Sequence, residues 1–60
     1  MDGRWLFERG DKVRILEGPY RGFEGVIDEA TAAEGRLHVL VPVSGRHARL
    51  ELAVGGVRPL

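Results

Sequence analysis

Between Gly10 and Ile27 the chain reads GDKVRILEGPYRGFEGVI, two short runs of alternating apolar residues around a turn-rich middle. No other stretch limits the fold as strongly. In Lys12-Val13-Arg14-Ile15-Leu16, Val13 and Ile15 fall on one face of an extended strand and Lys12 and Arg14 on the other, because successive strand side chains point to opposite sides. Glu17 to Gly22 interrupts that strand. Pro19 fixes its own φ and drives Gly18 toward extended backbone, while Gly18 and Gly22 are free to adopt positive φ or close backbone approach. Gly25-Val26-Ile27 begins the return strand, with Phe23 projecting just before it.

The remainder continues in strands. Ile27 and Ala30 are apolar at a spacing of three rather than two, which predicts a bulge at Asp28 and Glu29. Thr31 to Gly35 is expected as a hairpin loop, with Gly35 at a positive-φ position. Leu37, Val39, Val41 and Val43 then alternate with Arg36, His38, Leu40 and Pro42. One continuous apolar face results. Pro42 cannot donate to a ladder, so the strand must have an open side there or bend. Ser44-Gly45-Arg46 turns the chain into a fourth strand, Arg46 to Leu52, with Ala48, Leu50 and Leu52 inward and His47, Arg49 and Glu51 outward. Ala53 to Gly56 reads as a short turn or a single 3₁₀ turn, and Val57-Arg58 as a last short strand. Glu24 to Glu34 has some helix propensity, but interior glycine costs a helix about 1 kcal/mol and proline about 3. With Gly18, Pro19, Gly22, Gly25, Gly35 and Gly45 spaced along the chain, the expected fold is all-β, a small five-stranded barrel.

Composition narrows the function. Sixty residues make one small domain, and chains this short bury only about 60% of their unfolded surface. There is no cysteine, hence no disulfide and no thiolate metal site. Nine basic and nine acidic residues cancel, which weighs against a nucleic-acid binder held mainly by phosphate contacts. No apolar run approaches the roughly 20 residues needed to span a bilayer and no secretory signal is apparent, so a cytoplasmic monomer with no membrane partner is expected.

Chemistry is poorly supported. His38 and His47 are the only histidines, both on outward strand positions, so neither a metal site nor a catalytic triad can be assembled. Ser44 lacks a GxSxG frame, and Gly18-Pro19-Tyr20-Arg21-Gly22 has no helix after it to make a phosphate cradle. No catalytic residue, no metal ligand and no cofactor is expected. Binding remains.

The ordered set Phe7-Glu8, Gly10-Asp11, Val13-Arg14, Gly18-Pro19-Tyr20, Phe23, Gly25, Ile27 and Glu29, followed by Gly35-Arg36-Leu37, Val39, Val41, Gly45-Arg46, Leu50-Glu51-Leu52 and Val57, resembles the C-terminal KOW domain of the NusG family of transcription factors. The resemblance runs from Phe7 to Leu60. It implies a five-stranded SH3-like barrel in which Phe7 closes one end, with Met1 to Leu6 a linker remnant or N-terminal extension. It also implies an N-terminal domain, absent from this chain, that binds RNA polymerase. In that family the loops at one end of the barrel dock the ribosomal protein NusE, coupling transcription to translation, or the termination factor Rho.

On this resemblance the partner-binding residues are Tyr20, Phe23, Val43, Ser44, Gly45 and Arg46. Phe23 matches the family's aromatic and Val43 its aliphatic neighbour. Ser44 departs from it, standing where the family has a phenylalanine, and loss of such an anchor costs about 2 kcal/mol or more. His47-Ala48-Arg49 and Ala53 to Gly56 also depart, which points to a specialised paralogue or a different partner. Two bland alternatives stand beside this reading: Phe23 plugs the end of the barrel, and Tyr20 packs on Pro19 with its hydroxyl in water. Trp5 is expected to fold back on the barrel or lie at a frayed terminus. The competing functions are direct RNA recognition, an RfaH-like domain that refolds as a helical hairpin, and a structural spacer.

Overall fold

The computed structural model describes residues 7–31 and 34–60. The expectations for Trp5, for the Met1 to Leu6 linker and for Ala32-Ala33 in the hairpin loop therefore lie outside the described residues. Five strands form one antiparallel sheet: β1 (Lys12–Ile15), β2 (Glu24–Thr31), β3 (Arg36–Val43), β4 (Arg46–Ala53) and β5 (Val57–Pro59). Their order is β4-β3-β2-β1-β5. Consecutive strands pair as hairpins except for β5, which crosses to pair with β1 through Val13↔Pro59, Arg14↔Arg58 and Ile15↔Val57. A single 3₁₀ turn, Val54–Gly56, makes that crossing possible within three residues. The architecture is the all-β, five-stranded SH3-like barrel, and the described residues contain no α-helix.

The period-2 alternation translates directly into burial. Val13, Ile15, Ile27, Leu37, Val39 and Val41 are essentially inaccessible to solvent, and Phe7 and Val57 cap them at 7% and 5% exposure. Tyr20, Ala30, Val43, Leu50, Leu52 and Val54 pack around this cluster. No described polar or charged residue is buried, so the core is held by apolar burial alone.

The expected bulge is present: Ile27 pairs with Val39 but Glu29 pairs with His38, leaving Asp28 as the additional residue. The bulge restores the inward aim of Ala30, which pairs with Leu37 and packs on the core. Gly35 has φ +63°. Pro42 lies past Val26↔Leu40, the last pair of the β2–β3 ladder, and faces only His47 of β4. Its missing donor therefore meets no β2 partner. Several boundaries differ from the sequence expectation: β2 starts at Glu24, β4 runs on to Ala53, which the sequence places in the turn, and β5 runs on to Pro59. Thr31 belongs to β2, paired with Arg36, rather than to the loop, because the bulge brings the strand back into register for three further pairs. Leu16 lies beyond β1 and is 42% exposed, although its N–H still donates to Gly56 C=O at 2.9 Å.

Candidate partner-binding surface

The loop from Glu17 to Phe23 is fixed by its own backbone. Arg21 N–H donates to Gly18 C=O at 3.1 Å and Phe23 N–H to Tyr20 C=O at 2.9 Å, closing two successive turns. Gly18 and Gly22 take φ of +84° and +91°, a region that other residues enter at a cost. Gly22 N–H then donates to Ile15 C=O at 2.8 Å, and Ile15 N–H to Phe23 C=O at 2.9 Å. Phe23 is thus held opposite Ile15 although it precedes β2.

Tyr20 and Phe23 form an aromatic pair. Tyr20 packs against the core, and its ring meets that of Phe23 edge to face, with centroids 5.6 Å apart and planes at 88°. Such a pair contributes about 0.5–1.5 kcal/mol beyond its buried area. Tyr20 is half-buried, whereas Phe23 is 43% exposed. Phe23 is therefore not the plug of the barrel. Phe7 is the buried aromatic.

Gly25 pairs with Val13 and lies against Val39 and Val41 of β3. By strand alternation Phe23, two residues before Gly25, falls on the same side of its strand, and on β3 Val43, two residues past Val41, pairs with Arg46. Phe23, Val43 and Arg46 thus continue the core-facing side of the sheet past the point where the core ends. Val43 is half-buried against the core and Arg46 is exposed. Ser44 and Gly45 form the two-residue turn between them, with φ of +48° and +78°. Positive φ at both positions defines a type I′ hairpin turn. Ser44 is exposed at its tip.

The sequence did not foresee a groove beside this end. Pro19 and Tyr20 on one side and Leu50 and Leu52 on the other line an opening of about 500 Å³, with Glu17 and Glu51 at its margins. Leu50 and Leu52 alternate correctly for core positions, but β4 is the last strand on its side. They are consequently half-buried. Only the strand order could have signalled this.

Ionic contacts sit elsewhere, along the outward side. Arg49 reaches Asp28 at 3.0 Å and Glu29 at 3.4 Å, Arg36 reaches Glu51 at 3.2 Å, and Arg14 reaches Glu24 at 2.5 Å. His38 Nδ1 lies 3.6 Å from Glu29 Oε1. Among the described residues no group of three or more histidine, aspartate or glutamate side chains could hold a metal ion. None of the described helices is long and apolar enough to cross a membrane.

A five-stranded antiparallel barrel with a glycine-proline arch after its first strand and an exposed aromatic at the arch's end defines the class of small SH3-like domains that carry KOW motifs. Residues 9–39 match the KOW motif family, and the chain belongs to that family. Along most of its length the chain is similar to NusG proteins. It is 38% identical over 53 residues to the transcription termination/antitermination protein NusG of Xylella fastidiosa, covering 88% of this chain and 29% of that protein. It is 39% identical over 57 residues to the NusG of Vibrio parahaemolyticus, covering 95% and 31%. A solved structure of domain interaction in Thermotoga maritima NusG superposes with a TM-score of 0.85 at 35% identity, over 95% of this chain and 32% of that one. The chain spans about three tenths of the length of the curated relatives it matches.

Proposed function

We propose that this chain is the protein-binding module of a NusG-like transcription elongation or antitermination factor, and that it recruits the ribosomal protein NusE or Rho through Tyr20, Phe23, Val43, Ser44, Gly45 and Arg46. The observation that carries this reading is the placement of Phe23. Phe23 is 43% exposed although its cross-strand neighbour Ile15 is 1% exposed. Val43 and Arg46, paired at the end of the β3–β4 hairpin, lie on the same core-facing side by alternation. A half-exposed aromatic held by a hydrogen-bonded loop, in a surface that also offers arginine, has the composition of an interface anchor, since aromatics and arginine dominate binding energy. Arg21 and Arg46 make no ion pair with another described residue, which leaves them available to a partner.

Ser44 alters the anchor without removing the surface. The turn that carries it projects toward solvent, so a partner meets Phe23 and Val43 with a small polar tip where the family places an aromatic. The groove lined by Pro19, Tyr20, Leu50 and Leu52 adjoins the same end and offers further apolar area. An N-terminal domain that engages RNA polymerase, as the NusG resemblance implies, would tether this module to the elongation complex and raise the effective concentration of whatever it holds.

The test is a titration of isotope-labelled domain with NusE and, separately, with Rho, following amide shifts. Perturbations clustered at Tyr20 to Phe23 and Val43 to Arg46 support the reading. A dispersed β spectrum that stays flat with both partners overturns it.

A further inference from the structure

The outward side of the sheet carries a second surface that the proposed site does not use. There Val26 is 37% exposed and Leu60 is 56% exposed, and with the exposed Pro42 they line a shallow depression of about 180 Å³ together with Lys12, Glu24 and Gly25. Leu40, the cross-strand partner of Val26, extends the apolar strip. Leu60 is held in place, its N–H donating to Lys12 C=O at 3.1 Å.

The charge around this strip is uneven. Arg14 and Arg58 stand directly opposite one another on β1 and β5, an arrangement of like charges that destabilises a sheet. Lys12 lies two positions along the same side of β1. Among the described acids only Glu24, paired with Arg14, offsets the three cations, and Lys12 and Arg58 pair with no described residue. The chain as a whole is neutral. Its other outward acids, Asp28, Glu29 and Glu51, are engaged by Arg49 and Arg36 further along the strands. Lys12 and Arg58, without a partner among the described residues, thus stand beside exposed aliphatic side chains, and the Arg14–Arg58 repulsion is a cost that an external anion would relieve.

The chemistry selects the kind of anion. No described aromatic lies on this side, since Phe7 is buried and Tyr20 and Phe23 are on the opposite, core-facing side. Bases would find no stacking platform. Exposed valine, leucine and proline fit an apolar side chain instead. We propose that the Val26–Pro42–Leu60 depression, with Lys12 and Arg58 beside it, docks an acidic protein segment that inserts an aliphatic side chain and sets flanking carboxylates on the two cations. This surface is separate from the Phe23 end, so the module would hold two partners at once.

The probe is a blocked nine-residue peptide alternating leucine and glutamate, added to the labelled chain, with a counterpart carrying lysine for glutamate. Expected are saturable shifts at Lys12, Val26, Leu40 and Leu60 with a Kd below about 1 mM, weakened about tenfold by Arg58→Glu and unchanged by Phe23→Ala. Val26→Ser gives an independent check on the apolar contact. Shifts confined to Tyr20–Phe23 and Val43–Arg46, equal binding of the lysine peptide, or no saturation would overturn the proposal. So would a uridine oligonucleotide that produces the same shifts at lower concentration.

Discussion

Ile15 and Phe23 face one another across the start of the arch, joined by a 2.9 Å hydrogen bond from Ile15 N–H to Phe23 C=O, yet Ile15 is 1% exposed and Phe23 43%. The two belong to the same side of the sheet. Ile15 is closed over by Val57 of β5, its other partner, while none of the described strands extends far enough to cover Phe23.

This contrast predicts a separation of stability from binding. Phe23→Ala should lower unfolding free energy by only about 1 kcal/mol, the scale of its edge-to-face contact with Tyr20 and a partial burial. Affinity for the partner should fall at least about tenfold. Urea denaturation and the NusE or Rho titration measure the two quantities on the same variant.

Gly25→Ala should be far more damaging than its size suggests. A Cβ there would come within 2.6 Å of Val39 Cγ1 and 2.7 Å of Leu40 O, and the carbonyl belongs to the β2–β3 ladder. Overpacking of this kind costs about 1–3 kcal/mol. A thermal melt in which the variant equals the parent would contradict the tight approach of β2 to β3.

Ser44→Asn should stabilise the domain by up to about 1 kcal/mol, because Ser44 holds φ +48° in a type I′ turn and asparagine before glycine tolerates that conformation better. Ser44→Phe should instead leave stability the same or slightly lower and strengthen binding if NusE or Rho is the partner, by adding an aromatic beside the Phe23 end. Calorimetry of both variants, with partner titrations of the second, separates turn energetics from recognition.

Arg49→Ala should cost less than about 1 kcal/mol, since its pairs with Asp28 and Glu29 are about half exposed and such contacts are weak in water. Leu37→Ala, at a fully buried position, should cost about 2–5 kcal/mol. Chemical denaturation of the two variants should therefore rank them widely apart.

Local features of the fold were legible in the chain itself. The Leu37, Val39, Val41 and Val43 alternation fixes which side of β3 is buried, and the three-residue spacing of Ile27 and Ala30 marks the bulge, because both follow from strand geometry. The extension of β2 to Thr31 was not, since it depends on pairing with Arg36 after the bulge. Of the candidate binding residues, the type was readable but not the exposure: nothing in GPYRGF says that Tyr20 packs on the core while Phe23 remains open.

Sequence by itself therefore determined an all-β chain, its turns, its inward and outward sides and its resemblance to the KOW domains of NusG proteins. These follow from side-chain period and from residues with restricted or permissive φ, which act over a few neighbours. Tertiary structure alone decided that β5 crosses to β1, that Leu50 and Leu52 border a groove because β4 has no further neighbour, and that Arg14 stands against Arg58 near Val26 and Leu60. Each of these depends on contacts between residues far apart in the chain, whose closeness is set by strand order and register rather than by any local preference.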